Sequence, residues 1–204
     1  MIAIMNYGIG NLGSVKNALD FLGFDAKITS DPSEILSADK VILPGVGAFS
    51  IAMDTFKSYG FVEVVNKLME KNTPILGICV GMQMLFEESE EYGIHKGLGL
   101  LQGRIVKFKQ TVDNITYKIP QMGWNQIHVV KDNPLLNGLD LKDVYFVHSY
   151  HLSNPNVDDV IAYTEYAGTT YGSAVRKGNL YGCQFHPEKS GEVGLQILKN
   201  FCTL

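Results

Sequence analysis

The stretch PILGICVG at residues 74–81 decides how this chain folds. Its first five residues, Pro74–Ile78, form an unbroken apolar run. Such a run is typical of a central strand that is covered on both faces, as in parallel sheets whose strands are connected by helices. The stretch therefore predicts an α/β protein with this strand inside the sheet.

The sequence before this stretch alternates between strand and helix patterns. Apolar residues recur every three or four positions from Leu12 and again from Phe61, which predicts two amphipathic helices. Asp31-Pro32 predicts the start of another helix, with an acidic N-cap followed by proline at the first helical position. Strands that alternate with helices indicate right-handed βαβ units. The predicted strands are Met1–Met5, Asp25–Thr29 and Lys40–Leu43.

The sequence after residue 100 favours antiparallel strands, because strand patterns follow one another with few helices between them. Lys177-Gly178 predicts a hairpin turn, and Ser190 is the predicted cap of a final helix. No linker divides the chain, so we predict one α/β domain over residues 1–204, with a mostly parallel central sheet, flanking helices and added antiparallel strands in the second half. The predicted strands here are Gly103–Lys109, Trp124–Val130, Val144–Ser149, Val160–Tyr166, Tyr171–Arg176 and Asn179–Phe185.

Composition argues against several classes of function. The 17 Lys and Arg against 21 Asp and Glu give a net charge of -4, without the basic excess of a nucleic-acid binder. The N-terminus does not resemble a signal peptide and no apolar run is long enough for a membrane helix, so we expect a cytoplasmic protein that binds no membrane. The three cysteines are far apart and no histidines have metal-ligand spacing, so we expect neither disulfides nor a metal.

Gly8–Gly13 spells G-x-G-x-x-G after a predicted strand and before a predicted helix. In a dinucleotide-binding protein this loop holds the pyrophosphate, and Asp31 would be the acid that binds the ribose. The same glycines also suit a plain strand-to-helix turn, and Asp31 serves equally well as an N-cap. The pattern alone leaves open a non-catalytic nucleotide-binding module.

The central strand runs into Gly77-Ile78-Cys79-Val80-Gly81, which is the cysteine form of a nucleophile elbow. Small residues on both sides allow a turn sharp enough to expose Cys79 at the end of the strand. The N-terminus of the next helix favours a thiolate there, and the Val80 N–H can donate to an oxyanion. A free cysteine is more often a buried structural residue, so the motif needs a base to become a catalytic site.

His186-Pro187-Glu188 supplies a base and a group that can orient it. Residues two apart in extended chain project to the same side, so the imidazole and the carboxylate can meet. Cys79, His186 and Glu188 are therefore a candidate catalytic triad.

These motifs resemble those of the class I, or triad, glutamine amidotransferases. Pro44–Gly47 matches the oxyanion loop of that family. The resemblance to the family implies a flavodoxin-like sheet. Within the family, the motifs are most similar to those of the glutaminase subunits of imidazole glycerol phosphate synthases. The similar segments occur in the same order as in those subunits and cover essentially the whole chain. The similar segments are Asn6–Asn11, Pro44–Phe49, Gly81–Ser89, Met122–Asn125, His148–His151 and His186–Ser190.

The resemblance implies a role for each matching residue. Cys79 would attack the side-chain amide of glutamine, giving a glutamyl thioester and ammonia, with His186 as base and then acid, and Glu188 orienting it. One position departs from the family, since Gln121 stands where histidine is more common. The implied oxyanion donors are Val46, Gly47 and Val80, the substrate contacts are Gly45, Gln83, Glu91, Ser149 and Tyr150, and the partner contacts are Asn6, Asn11, Met122, Trp124, Asn125 and Lys189.

The resemblance also implies a partner and no cofactor. Ammonia released into water is protonated and lost, and we expect no second domain to use it. We therefore expect a heterodimer with the cyclase subunit of imidazole glycerol phosphate synthase. That subunit would use the ammonia and a phosphorylated ribulosyl carboxamide nucleotide to make imidazole glycerol phosphate and an aminoimidazole carboxamide ribotide. We also expect the isolated chain to be a slow glutaminase, because the Val46-Gly47 loop should need the partner to be set correctly.

Two further interpretations stay open. An amidotransferase of the same class could serve a different ammonia acceptor through a different partner surface. A hydrolase or peptidase could carry the same elbow without using glutamine, although Gln83 and the Pro44–Gly47 loop argue against it.

Overall fold

A nine-stranded sheet with helices on its flanks forms the body of the computed structural model, which describes residues 1–204. None of the helices has the length and apolar character that crossing a membrane requires. The helices are α1 (Leu12–Phe21), α2 (Pro32–Ser37), α3 (Phe49–Ser58), α4 (Phe61–Glu70), α5 (Val80–Gln83) and α6 (Gly191–Cys202). The strands are β1 (Ile2–Met5), β2 (Ala26–Thr29), β3 (Lys40–Gly45), β4 (Ile75–Cys79), β5 (Glu88–Ser89), β6 (His95–Lys96), β7 (Arg104–Lys107), β8 (Thr111–Val112), β9 (Ile115–Thr116), β10 (Gln121–Val129), β11 (Lys142–His148), β12 (Tyr150–Ser153), β13 (Val160–Tyr166), β14 (Thr169–Lys177) and β15 (Leu180–Cys183).

The sheet changes from parallel to antiparallel along its width. Its strand order is β2-β1-β3-β4-β15-β14-β13-β10-β11. Pairing is parallel from β2 to β15 and antiparallel from β15 to β11. All five residues of β4 are buried, as the apolar run predicts. The predicted α/β fold, with antiparallel strands added in the second half, is confirmed.

The register of three neighbouring parallel strands brings their carboxyl ends together. Gly45 at the end of β3 pairs with Cys79 at the end of β4. On the other side of β4, Cys183 of β15 pairs with Ile78. The residues that follow these strands therefore meet at one edge of the sheet, where ligands bind in open α/β folds.

Two features of the fold were not predicted from the sequence. Helix α3 buries Phe49, Ala52, Met53 and Phe56, whose spacing is that of an amphipathic helix. A second sheet has the order β12-β7-β5-β6. Its strand β7 lies within the predicted strand Gly103–Lys109, but β5 and β6 have only two residues each, which is too few to carry a pattern. Several predicted strands also have shifted ends; β10, for example, begins at Gln121 instead of Trp124.

The two predicted helix caps have different outcomes. Asp31 caps α2, since its carboxylate accepts a hydrogen bond from the Ser33 N–H at 2.8 Å. Ser190 occupies the cap position of α6, but its hydroxyl makes no capping bond. It donates to the His186 carbonyl at 2.6 Å and accepts from the Tyr145 N–H at 2.9 Å. Ser190 thus braces the turn that carries His186, because α6 begins directly after that turn.

Candidate active site

Cys79 sits in a strained backbone turn between β4 and α5. Its φ of 54° and ψ of -111° lie in a region that residues with a side chain rarely adopt. The flanking glycines make this turn possible: a Cβ on Gly81 would overlap the Leu43 carbonyl oxygen, and one on Gly77 would lie 2.8 Å from the Gly81 oxygen. The predicted elbow is therefore present, with its glycines at points of close backbone approach.

His186 and Glu188 form a buried pair beside the elbow. Glu188 Oε1 lies 2.9 Å from His186 Nδ1, and the two side chains are 1% and 2% exposed. The other ring nitrogen, Nε2, is buried and has no hydrogen-bond partner of ordinary geometry. With Nδ1 committed to the carboxylate, Nε2 is the nitrogen that remains for proton transfer with Cys79.

The charges around His186 favour its protonated form. Burial alone lowers the imidazole pKa, but the Cys79 sulfur and the Glu188 carboxylate outweigh burial and raise that pKa to about 10. An imidazolium next to a cysteine favours the anionic sulfur, which is the nucleophilic form. The other two cysteines are buried, and burial raises the pKa of Cys183 well above its usual value and that of Cys202 to about 12.

A cavity of about 410 Å³ opens at this edge of the sheet. It contains Cys79 and His186 and most of the residues that the sequence predicts for substrate and oxyanion contact. Glu188 lies behind His186 and supports it from outside the cavity. Predicted residues lining the cavity are Val46, Gly47, Cys79, Val80, Gln83, Glu91, Ser149, Tyr150, His186 and Lys189, and the unpredicted ones are Pro120, Val147 and His148.

Two predicted substrate contacts are held in place by hydrogen bonds. Glu91 Oε2 accepts from the Phe49 N–H at 2.7 Å, which ties Glu91 to the start of α3 just after the Val46-Gly47 loop. Gln83 Nε2 donates to the Tyr150 carbonyl at 3.2 Å. These bonds hold the two side chains in place before any substrate arrives.

Gly45 is the exception among the predicted substrate contacts, because it does not line the cavity. It is buried as the last residue of β3, paired with Cys79. A Cβ at this position would press on the backbone of Val80 and Gly81. The structure therefore places Gly45 in close packing behind the elbow, and direct substrate contact at this position stays a prediction.

The Gly8–Gly13 loop lies against the site instead of opening a separate one. A Cβ on Gly10 would lie 3.2 Å from the Pro44 ring, so this glycine allows close packing on the oxyanion loop. Asn11 Nδ2 donates to Glu188 Oε1 at 3.4 Å, a contact with the triad that its predicted role at the partner surface did not anticipate. Asp31, the acid that would bind a ribose, caps α2 instead, which favours the interpretation of the loop as a structural turn.

The other predicted partner contacts lie near the same edge. Met122 and Trp124 on β10 are 55% and 54% exposed, and Trp124 packs edge-on against Tyr145 of the neighbouring strand. Asn125 Oδ1 accepts from Gln121 Nε2 at 2.9 Å, and Lys189 is exposed at the mouth of the cavity. Asn6 accepts a hydrogen bond from the Gly8 N–H and shapes the first loop.

Gln184 is a residue of the site that the sequence analysis missed. It is 1% exposed, and its Nε2 lies 3.7 Å from Cys79 Sγ. The available signal was a polar residue directly after a buried strand and two positions before His186. That signal becomes specific only once the pairing of β15 with β4 is known.

An α/β sheet that presents a cysteine elbow and a His–Glu pair to one cavity is the arrangement of a triad amidotransferase. The family model for glutamine amidotransferase class-I matches residues 3–204, and the chain belongs to that family. It is 49% identical to the imidazole glycerol phosphate synthase subunit HisH of Wolinella succinogenes, over 100% of both chains, and therefore belongs among the HisH subunits within the family. It is also 50% identical to the HisH subunit of Bacillus cereus, over 98% of this chain and 93% of that protein.

The fold is shared with solved structures at much lower identity. The structure of PurLQS from Thermotoga maritima matches with a TM-score of 0.73 and 18% identity, covering 99% of this chain and 97% of that one. At this identity the likeness concerns the fold alone.

Proposed function

We propose that this chain hydrolyses glutamine at Cys79 and delivers the ammonia to the cyclase subunit of an imidazole glycerol phosphate synthase. The observation that carries the proposal is the single cavity that joins the Cys79 elbow and His186 to Gln83 and Glu91. A cysteine hydrolase of another kind would need neither of the last two residues. The names of the relatives, which describe subunits of that synthase, support the choice of acceptor.

The geometry supports a two-step reaction. In the first step the Cys79 sulfur attacks the side-chain carbonyl carbon of glutamine, and His186 gives a proton to the departing nitrogen, so that the C–N bond breaks and ammonia leaves. In the second step water attacks the resulting thioester and His186 takes a proton from it. The C–S bond then breaks, which releases glutamate and regenerates Cys79. Glu188 keeps the imidazole oriented through both steps.

The oxyanion that forms in each step would be bound by backbone N–H groups of Val80 and of the Val46-Gly47 loop. Both loop residues are exposed, and Gly47 has a φ of +82°. A glycine turns its flanking peptides with little steric resistance. We therefore expect the loop to be set for oxyanion binding by the partner, which leaves the isolated chain a slow glutaminase.

The substitution Cys79→Ala tests the proposal in the complex with the cyclase subunit. We expect it to abolish synthesis from glutamine and to leave synthesis from added ammonium salt intact, because the variant lacks only the ammonia-producing step. Cys202→Ala, a buried cysteine away from the cavity, is the matched control and should retain both activities. Loss of both activities in the Cys79 variant would contradict the division of labour, and retained glutamine use would exclude Cys79 as the nucleophile.

A further inference from the structure

We infer that Gln184 is a positioning residue for the nucleophile, and that its side-chain amide donates a hydrogen bond to Cys79 Sγ. The inference deepens the proposed function and rests on Cys79 being the nucleophile. It assigns to Gln184 the task of aiming the sulfur and stabilising its anionic form before glutamine is attacked.

The backbone gives Gln184 a fixed place beside the elbow. Cys183 pairs with Ile78 in the parallel ladder, so the next residues along the two strands are Gln184 and Cys79. The Gln184 N–H continues the ladder on the other side by donating to the Ser173 carbonyl at 2.9 Å. The side chain is 1% exposed, and its Nε2 lies 3.7 Å from Sγ, within the usual range for a hydrogen bond to sulfur.

The orientation of the Gln184 amide follows from a carbonyl that can only accept. The Tyr150 carbonyl receives a hydrogen bond from the side chain of Gln83, so the NH₂ group of Gln83 must face it. The same nitrogen lies 3.0 Å from Gln184 Oε1, which must therefore be the acceptor. This leaves the NH₂ group of Gln184 facing Cys79. The direction of each bond is thus set by the donors and acceptors themselves.

This chain of amides links the substrate-binding wall to the sulfur. Gln83 and Tyr150 line the cavity, whereas Gln184 stands behind it and touches the reacting atom. Hydrogen bonds to a charged group contribute more than those between neutral groups, so an N–H donor here favours the thiolate over the thiol. A side chain that only filled space at this position would need no donor.

The test compares Gln184→Met, which keeps the volume and removes the donor, with Gln184→Glu, which keeps the shape and adds a negative charge. The rate at which iodoacetamide alkylates Cys79 is measured against pH in the full chain, with Cys79→Ala as the blank. Glutamine turnover is measured in the complex with the cyclase subunit. Thr164→Val, which removes another side chain that is 1% exposed and hydrogen-bonded, is the control for general loss of stability.

We expect the pH at half-maximal alkylation to rise by about one unit in Gln184→Met, because the variant lacks the N–H donor that stabilises the anionic sulfur. Gln184→Glu should shift it further, since a carboxylate repels the anionic sulfur. In both variants kcat should fall with little change in KM, because Gln83 keeps its bond to Tyr150. Thr164→Val should leave the alkylation profile unchanged.

Alkylation profiles that match the unsubstituted protein in both Gln184 variants would overturn the inference and reduce Gln184 to a packing residue. If one variant does not fold, the profile of the other decides in the same way. Failure of the proposed function has a different signature: glutamine hydrolysis would survive in Cys79→Ala, whatever the Gln184 variants do to alkylation.

Discussion

His148 lies in the wall of the cavity as a buried, neutral imidazole. Burial lowers its pKa to about 3, and its Nδ1 lies 2.8 Å from the Tyr150 carbonyl. Because a carbonyl oxygen only accepts, Nδ1 carries the proton of the neutral ring. His148 therefore holds the segment whose carbonyl also accepts from Gln83, and burial keeps its ring uncharged.

This state of His148 predicts that the fold weakens in acid. The unfolded chain takes up a proton on this imidazole as the pH falls below about 6.5, whereas the folded chain does not until about pH 3. The contribution of His148 to stability is therefore present above pH 6.5 and is lost between these values, by up to about 1.4 kcal/mol per pH unit. His148→Gln should reduce the slope of the free energy of unfolding, measured by urea unfolding, against pH in this range.

The exposed strand residue His128 provides the control for that measurement. His128→Gln should leave the slope of stability against pH as it is in the unsubstituted protein. An equal acid slope in the His148 variant and the unsubstituted protein would show that other groups cause the acid sensitivity.

Among the elements, those with strong local patterns were the ones that the sequence could predict. The apolar run Pro74–Ile78 predicts a buried strand, and four of its five residues lie buried in β4. Asp31-Pro32 predicts the start of α2, and the helix begins there. The elbow at Cys79 is equally local, since its glycines are its neighbours. Patterns among neighbouring residues were therefore enough to predict the central strand and the motifs of the candidate triad.

The residues that the sequence could not place depend on contacts between distant segments. Gln184 meets Cys79 only because β15 pairs with β4, and Asn11 meets Glu188 across most of the chain. The burial of Gly45 could not be predicted for the same reason, because its motif is that of a binding loop and only the packing of α5 on β3 shows that it is buried. Pairing between remote strands has no signature in a single sequence.

Helix α6 packs so closely on the His186-Pro187-Glu188 turn that the helix needs a glycine at the point of contact. A Cβ on Gly194 of α6 would overlap the Pro187 carbonyl oxygen. We expect Gly194→Ala to destabilise the fold by about 1–3 kcal/mol and to slow glutamine turnover, because the helix and the turn that holds Glu188 must separate. Urea unfolding and turnover in the complex with the cyclase subunit measure the two effects.

Gly13→Ala is the matched control for this substitution. Gly13 lies in the first turn of α1 and has nothing within 4 Å of the position of a new Cβ. Alanine should therefore stabilise the fold by about 0.5–1 kcal/mol. A Gly194→Ala protein as stable as the unsubstituted one would show that α6 can shift without disturbing the turn.

At the scale of the whole molecule, the glutamine site and the predicted partner surface share one edge of the sheet. Lys189 borders the cavity, Asn11 contacts Glu188, and the exposed Trp124 lies within reach of Gly191 at the start of α6. A partner that covers this edge would touch the supports of the triad directly. This arrangement gives a physical route by which partner binding can change the rate at Cys79.

Trp124 provides the test of that surface. Large aromatic residues often contribute much of the binding energy of an interface, so Trp124→Ala should raise the Kd for the cyclase subunit about tenfold or more. The rate of glutamine hydrolysis at saturating cyclase should equal that of the unsubstituted complex, because Trp124 does not line the cavity. Titration of glutaminase activity with the cyclase subunit measures both quantities.

The control for this titration lies at the other end of the sheet. Val157 is 65% exposed and lies just before β13. The first residue of β13 pairs with Val175, which is close to the hairpin between β14 and β15. That hairpin is at the amino end of β15, opposite the edge that holds Cys79, so Val157→Ala should leave the Kd unchanged. If Trp124→Ala binds the cyclase as tightly as the unsubstituted chain and is stimulated as strongly, the partner must dock elsewhere. If it binds normally but is no longer stimulated, Trp124 transmits the partner's effect to Cys79 and contributes little to affinity.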